Sequence, residues 1–388
     1  MLPNVKTGID VLEKDGFSRF RKQRLGLIIN PSSVNRNLES TLEVFLRNGV
    51  KVTAVFGPEH GIRGEFQDQE KCTGFEDEKK DIFIYNLYGK HLAPTEEMLK
   101  SVDTLVFDIQ DVGARYYTFI WTMALAMEKA AQYNKRFVVL DRPNPINGVD
   151  TEGPILQKGY ESFVGLYPIP IRHGMTAGEL ALMFKNEFSI SIGLDVVRME
   201  DWNRSLWFDE TGLRWVPPSP NMPTLDTAIV YPGMCLLEGT NISEGRGTTK
   251  PFEYFGAPWL KTELVLKELK ELKGCKLRTL HFRPLFGKYR GEICNGFQLH
   301  IAGRDKFKPV ITALEIILAI KKAHQDEFRW KKPPYEFEAE KLPFDILTGN
   351  PKVRELIDNK CSIKDIEIVC NEGFDKFQEI GRKYFLYE

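Results

Sequence analysis

The chain has 388 residues, 42% of them hydrophobic and 28% charged, a composition typical of soluble globular proteins and long enough for two cores. A formal net charge of −1 gives no electrostatic reason to expect nucleic acid or an anionic membrane as partner. No apolar run approaches the ~20 residues that span a bilayer, and the N-terminus lacks the apolar stretch of a secretory signal. As written, the chain is expected in the cytoplasm, or outside it if a signal peptide has been removed.

In chain order, residues 24–30 read as a strand and 38–48 as an amphipathic helix with Leu42, Phe45 and Leu46 on one face. Residues 52–56 form an apolar, β-branched core strand halted by Gly57-Pro58. Further strands are expected at 81–87, 103–108 and 136–141, separated by helices at 94–101 and 117–133. The first of these helices opens on Pro94, with Glu96 and Glu97 where the helix dipole favours acid. Thr176 and Glu179 form a capping box for a helix running to Phe188, and 194–199 reads as a sixth strand. This alternation predicts an α/β fold with a parallel sheet covered on both faces.

Residues 216–223 contain four prolines, too rigid and donor-poor for regular structure. They set the expected boundary between a domain at 1–220 and a smaller α+β domain at 221–388. In the second, 226–238 holds an apolar run, and helices are expected at 259–272, with Leu264, Leu266 and Leu269 facing the core, and at 310–324. Strands are expected at 281–286 and 296–301. Cys72, Cys235, Cys275, Cys294, Cys361 and Cys370 form no C-x-x-C pair or zinc-like spacing and are expected as reduced thiols.

In open α/β sheets, ligands bind beyond the carboxyl ends of the strands. Four such ends carry polar clusters. They are Asn30-Pro-Ser32-Ser33, Glu59-His60-Gly-Ile-Arg63, Asp108-Ile-Gln110-Asp111 leading to Arg115-Tyr116, and Asp141-Arg142-Pro-Asn144. Loops are polar in any case, but four convergent ends define one rim. Glu59 is the candidate general acid, against the plainer reading of a salt bridge to Arg63. Asp108, Asp111, Glu238 and Glu244 are candidate second carboxylates, although an aspartate closing a strand often only caps loop amides. Arg172-His173 precedes a helix start, where a ligand meets free amides, and His60 and His173 are candidate ligand contacts. Residues 239–248 are Gly-rich and hold Glu244 and Arg246, a possible anion nest. Tyr116 offers a ring to a sugar, or simply packs in the core. There is no dinucleotide fingerprint, P-loop or G-x-S-x-G, and no metal-ligand spacing, so neither cofactor nor metal is expected.

Six motifs occur in a specific order, at 56–64, 108–118, 141–145, 172–180, 218–223 and 237–248. With them, the chain resembles the NamZ-type exo-β-N-acetylmuramidases over essentially its whole length. The resemblance implies a Rossmann-like N-terminal domain with an active-site cleft and a smaller C-terminal domain closing over it. It implies release of N-acetylmuramic acid from the non-reducing end of peptidoglycan-derived glycans, with Glu59 as the catalytic glutamate of the Pro-Glu-His-Gly motif. The second role is open: Asp111 or Glu244 activates water, or the sugar's 2-acetamido group attacks its own anomeric carbon. Muramic acid carries a lactyl carboxylate, which Arg63, Arg115, Arg172 or Arg246 is expected to bind. The alternatives are a metal-assisted phosphate or ester hydrolase using Asp108, Asp111 and His60, and a non-catalytic glycan-binding protein.

Overall fold

β1 (Leu25–Ile29), β2 (Val52–Gly57), β3 (Phe75–Asp77), β4 (Ile82–Asn86), β5 (Thr104–Asp108), β6 (Arg136–Leu140) and β7 (Leu194–Val197) form one sheet in a computed structural model of the chain. The structure describes residues 3–67, 75–77 and 82–388. The strand order is β3-β4-β2-β1-β5-β6-β7. Every pairing is parallel except β3 with β4, so six parallel strands carry one antiparallel edge strand. That edge strand was not expected from the sequence.

The helices of this half are α1 (Gly8–Lys14), α2 (Thr41–Arg47), α3 (Glu96–Leu99), α4 (Phe119–Gln132) and α5 (Ala177–Glu187). They cover both faces of the sheet. Leu105 and Phe107 of β5 pack with α4 and α5, whereas Val106 between them packs with α1 and α2. That alternation is the period of two of a strand. It explains why β1 and β5 are buried at every position and read as continuous apolar runs. The architecture is Rossmann-like, as the sequence resemblance implies.

The rest of the chain is α+β. It contains α6 (Leu225–Met234), β8 (Tyr254–Ala257), α7 (Thr262–Glu268), β9 (Cys275–Phe282), β10 (Cys294–Ile301) and α8 (Pro309–Ala323). Four short helices follow, α9 (Pro343–Thr348), α10 (Pro351–Asp358), α11 (Ile363–Cys370) and α12 (Phe374–Arg382). The small sheet is antiparallel in the order β8-β10-β9. The helix expected at 259–272 is shorter, and its buried residue is Val265, whereas Leu266 is exposed. The strand expected at 281–286 runs earlier and ends at Phe282, just before Arg283-Pro284. α6 meets the start of α8 so closely that a Cβ on Gly233 would sit 1.9 Å from Pro309 O.

The two halves are joined by buried polar bonds. Arg115 Nη2 donates to Leu347 O at 2.7 Å, and Glu152 Oε1 accepts from Ile311 N in the first turn of α8 at 2.8 Å. The C-terminal tail returns to the large sheet, where Tyr387 OH donates to Asp141 Oδ2 at 2.6 Å. The five described cysteines are free thiols, and Cys72 lies outside the described residues. Among the described residues no helix is long and apolar enough to cross a membrane.

Candidate active site

β2 leaves the sheet at Gly57 and the chain turns back at once. A Cβ on Gly57 would sit 2.7 Å from Ile62 N, so the return needs glycine. Gly61 N donates to Pro58 O at 3.0 Å to close the turn, and His60 within it has a φ of 71°. The turn delivers Glu59 inward to 5% exposure, where its Oε2 accepts from Thr118 Oγ1 at 2.8 Å. Thr118 precedes α4, and its side chain does not cap that helix, so the hydroxyl serves Glu59 instead. His60 donates from Nδ1 to Phe66 O at 2.9 Å, because a carbonyl can only accept. That bond fixes the ring's orientation.

Glu59, His60 and Thr118 line a pocket with Tyr116 and Tyr117. Burial pushes both phenols well above their usual range, so both stay protonated at neutral pH. At Tyr117 the Ser219 hydroxyl opposes that shift, while the charges of Asp111 and Glu59 add to it. Ser219 and Asn221, from the proline-rich stretch, also line the pocket. Asn221 Nδ2 donates to Gln67 Oε1 at 3.1 Å.

A second wall comes from the C-terminal half. A single 3-10 stretch, Cys235–Gly239, follows α6 and brings Glu238 to the pocket. Arg246 Nη1 lies 2.8 Å from Glu238 Oε1 and 4.0 Å from Glu244 Oε1, with its guanidinium 5.1 Å from the Phe252 ring centre. Tyr335 OH donates to Glu238 Oε2 at 2.8 Å. Lys288 Nζ lies 3.0 Å from Glu244 Oε2 and donates to Leu237 O and Ile242 O. Burial alone would raise the Glu244 pKa, but Lys288 and then Arg246 outweigh it and hold it low. The result is a braced guanidinium at the pocket, flanked by two carboxylates.

Of the residues singled out from the sequence, Glu59, His60, Tyr116, Glu238 and Arg246 come together here. Several others lie elsewhere, bonded within the protein. Asp108 is fully buried and takes Arg142 through both oxygens, with the Thr41 hydroxyl on the same carboxylate. Asn30 accepts from Ser32 N and Oγ and donates to Pro218 O at 2.9 Å. Asn144 bridges Ile146 N and Met175 O. Arg115 is fully buried, donates to the carbonyls of Pro154, Ile169 and Leu347, and has its pKa pushed down to about 10 by burial. Arg172 is buried beside Asp150 at 3.1 Å and donates to Ile146 O. These five are bonded to the protein itself, although Arg115 Nε and Arg172 Nε have no hydrogen-bond partner among the described residues, and they lie outside the pocket wall.

Asp111 and Glu244 sit behind the wall. Asp111 Oδ2 accepts from Gly113 N at 2.7 Å and lies 3.2 Å from His173 Nε2, while Oδ1 has no hydrogen-bond partner among the described residues. His173 is fully buried, with Nδ1 accepting from Met175 N, and is not in the pocket wall. Arg63 is exposed and likewise outside the wall. Tyr117, Thr118, Tyr231, Tyr335 and Glu336 line the pocket but were not singled out from the sequence. The first two lie inside the 108–118 motif, so their signal was present. Tyr335 and Glu336 belong to no motif. Among the described residues no three His, Cys, Asp or Glu side chains gather as a metal-ligand set.

Comparison with known proteins assigns this arrangement to a family. The family model "Exo-beta-N-acetylmuramidase NamZ, N-terminal" matches residues 25–226, and its C-terminal counterpart matches 229–387. The chain belongs to the NamZ family. It is 47% identical to the peptidoglycan beta-N-acetylmuramidase NamZ of Bacillus subtilis (strain 168), over 99% of this chain and 92% of that protein. Two solved DUF1343 family proteins from Bacteroides fragilis NCTC 9343 share the fold, each covered over 99% of both chains. Their TM-scores are 0.88 and 0.77, at 36% and 28% identity. Within the NamZ frame, the N-terminal match supplies Glu59 and Thr118 to the pocket, and the C-terminal match supplies Glu238 and Arg246.

Proposed function

We propose that the protein is a glycoside hydrolase that releases N-acetylmuramic acid from the non-reducing ends of peptidoglycan-derived glycans. Kinship with a peptidoglycan beta-N-acetylmuramidase supports this reading. The observation that carries it is a buried glutamate at a strand end, in one pocket with a braced arginine from the other half.

In this reading Glu59 donates its proton to the glycosidic oxygen as the C1–O bond breaks. Thr118 orients the carboxyl. Positive charge grows at the anomeric carbon and is met by the sugar's own 2-acetamido oxygen or by Glu238. Water then bonds C1, giving its proton back to the Glu59 carboxylate, and free N-acetylmuramic acid leaves. Glu238 takes the place of Asp111 and Glu244 as the second carboxylate, because it lines the pocket. Arg246 binds the lactyl carboxylate that distinguishes muramic acid from glucosamine, since a planar guanidinium pairs with carboxylate through two donors. Residues 1–220 then supply the acid, and 221–388 close the cleft and read the sugar.

The test is hydrolysis of a chromogenic β-N-acetylmuraminide beside its N-acetylglucosaminide twin, by wild type and Glu59→Gln. Turnover of the muraminide alone, lost in the variant and insensitive to a chelator, is the expected result. Tight sugar binding without turnover by folded wild type would sink the proposal in favour of a glycan-binding protein.

A further inference from the structure

The turn at 335–338 is built against its own backbone preferences. Tyr335 N donates to Glu338 O and Glu338 N to Tyr335 O, both at 2.8 Å, so two residues close a hairpin. Those two, Glu336 and Phe337, have φ of 45° and 66°. A two-residue turn of this hand ordinarily takes Asn-Gly or Gly-Gly, because larger side chains are strained there. Strain of that kind persists where the side chains it carries have a use.

Glu336 lines the pocket, and Phe337 is the next residue along the turn. Glu336 is buried in the pocket wall, and its Oε2 accepts from Tyr88 OH at 3.4 Å. Phe337 is 59% exposed, although its ring rests edge-on against Tyr88 at 5.6 Å and Phe163 at 5.9 Å between centroids. Those supporting rings are themselves buried and 5.7 Å apart. Glu336 beside Phe337, and Val164 beside Phe163, both line the pocket. The exposed ring therefore stands at the pocket rim.

We propose that Phe337 is the platform for the first sugar of the leaving group, the N-acetylglucosamine that follows muramic acid in the glycan. This rests on the muramidase reading. An enzyme that removes one terminal sugar encloses that sugar and leaves the next at the rim. The C–H face of a β-linked hexopyranose packs on an aromatic ring and sheds water, while its hydroxyl edge stays solvated. A ring held by two buried aromatics offers that face with little side-chain ordering left to lose.

The test is wild-type hydrolysis of the disaccharide N-acetylmuramyl-β-1,4-N-acetylglucosamine, with methyl β-N-acetylmuraminide, which has no second ring, as competitive inhibitor. In Phe337→Ala the ratio of disaccharide KM to inhibitor Ki should rise about tenfold, equivalent to ~1.4 kcal/mol of binding. Phe337→Asn, which suits the left-handed turn, should lose the same selectivity, and Phe337→Trp should retain it. A ratio within twofold of wild type in both Ala and Asn variants overturns the platform and leaves the muramidase reading intact. A folded wild type that does not cleave the disaccharide overturns both.

Discussion

Two clusters of ionisable side chains sit at the carboxyl ends of β5 and β2, on either side of β1, and they have opposite fates. The strand order reverses between β1 and β5, where an open α/β sheet usually leaves its ligand crevice. Here Asp108 is met by Arg142 and Thr41, and Asn30 by Ser32 and Pro218. The protein's own ion pair occupies the Asp108 carboxylate there. One strand out, at the end of β2, Glu59 lines a pocket that the other half of the chain completes. The two strand ends thus differ in whether their charged side chain faces a pocket shared with the other half of the chain.

The sharpest way to break this comparison is Glu59→Gln. It should lower muraminide turnover by ~10²–10⁴-fold, the range of a lost general acid, with the thermal midpoint nearly unmoved. A loss of less than tenfold would remove Glu59 from the acid role. Asp108→Ala should do the reverse. It strands the buried Arg142 guanidinium and should cost about 3–5 kcal/mol in urea unfolding, with turnover per folded molecule retained. If activity falls and stability does not, the Asp108 crevice is itself the site.

Arg246→Lys keeps the charge and loses the planar fork. We expect kcat/KM for the muraminide to fall about tenfold and the preference over the glucosaminide to narrow. An unchanged preference would assign the lactyl group to another residue. The smallest effect on activity concerns the joint between the halves. Burial raises the Glu152 pKa from 4.5 to about 7. Below about 4.5 both folded and unfolded states hold the proton. Between there and about 7 the folded state keeps a proton that the unfolded chain has released, so stability falls as pH rises. Glu152→Gln should flatten that slope, an effect of about 3 kcal/mol across the window in denaturant titrations at several pH values. An equally steep slope in the variant would assign the titration elsewhere.

The parallel strands were legible because burial on both faces leaves continuous apolar runs, as in Leu25–Ile29 and Thr104–Asp108. α7 was misread because an exposed leucine, Leu266, looks the same in sequence as a buried one, and β9 because its alternation continued into the following loop. Glu59 was legible from its place at a strand end within a long motif. The proline-rich stretch was read as a boundary, yet it also supplies Ser219 and Asn221 to the pocket. Rigid, donor-poor backbone suits a pocket wall as well as a linker.

The sequence by itself determined the alternation of strands and helices, the sheet class and the family, and it singled out Glu59, which lines the pocket. All of these rest on local pattern or contiguous motif. Only the tertiary structure decided which polar groups are consumed, because hydrogen-bond satisfaction depends on partners remote in the chain. Arg115 looks like a carboxylate receptor until its guanidinium meets Leu347 O, 232 positions away. Glu238 is one of four candidate second carboxylates in the sequence, and among them it is the one the fold puts, with Arg246 and Tyr335, in the same pocket as Glu59.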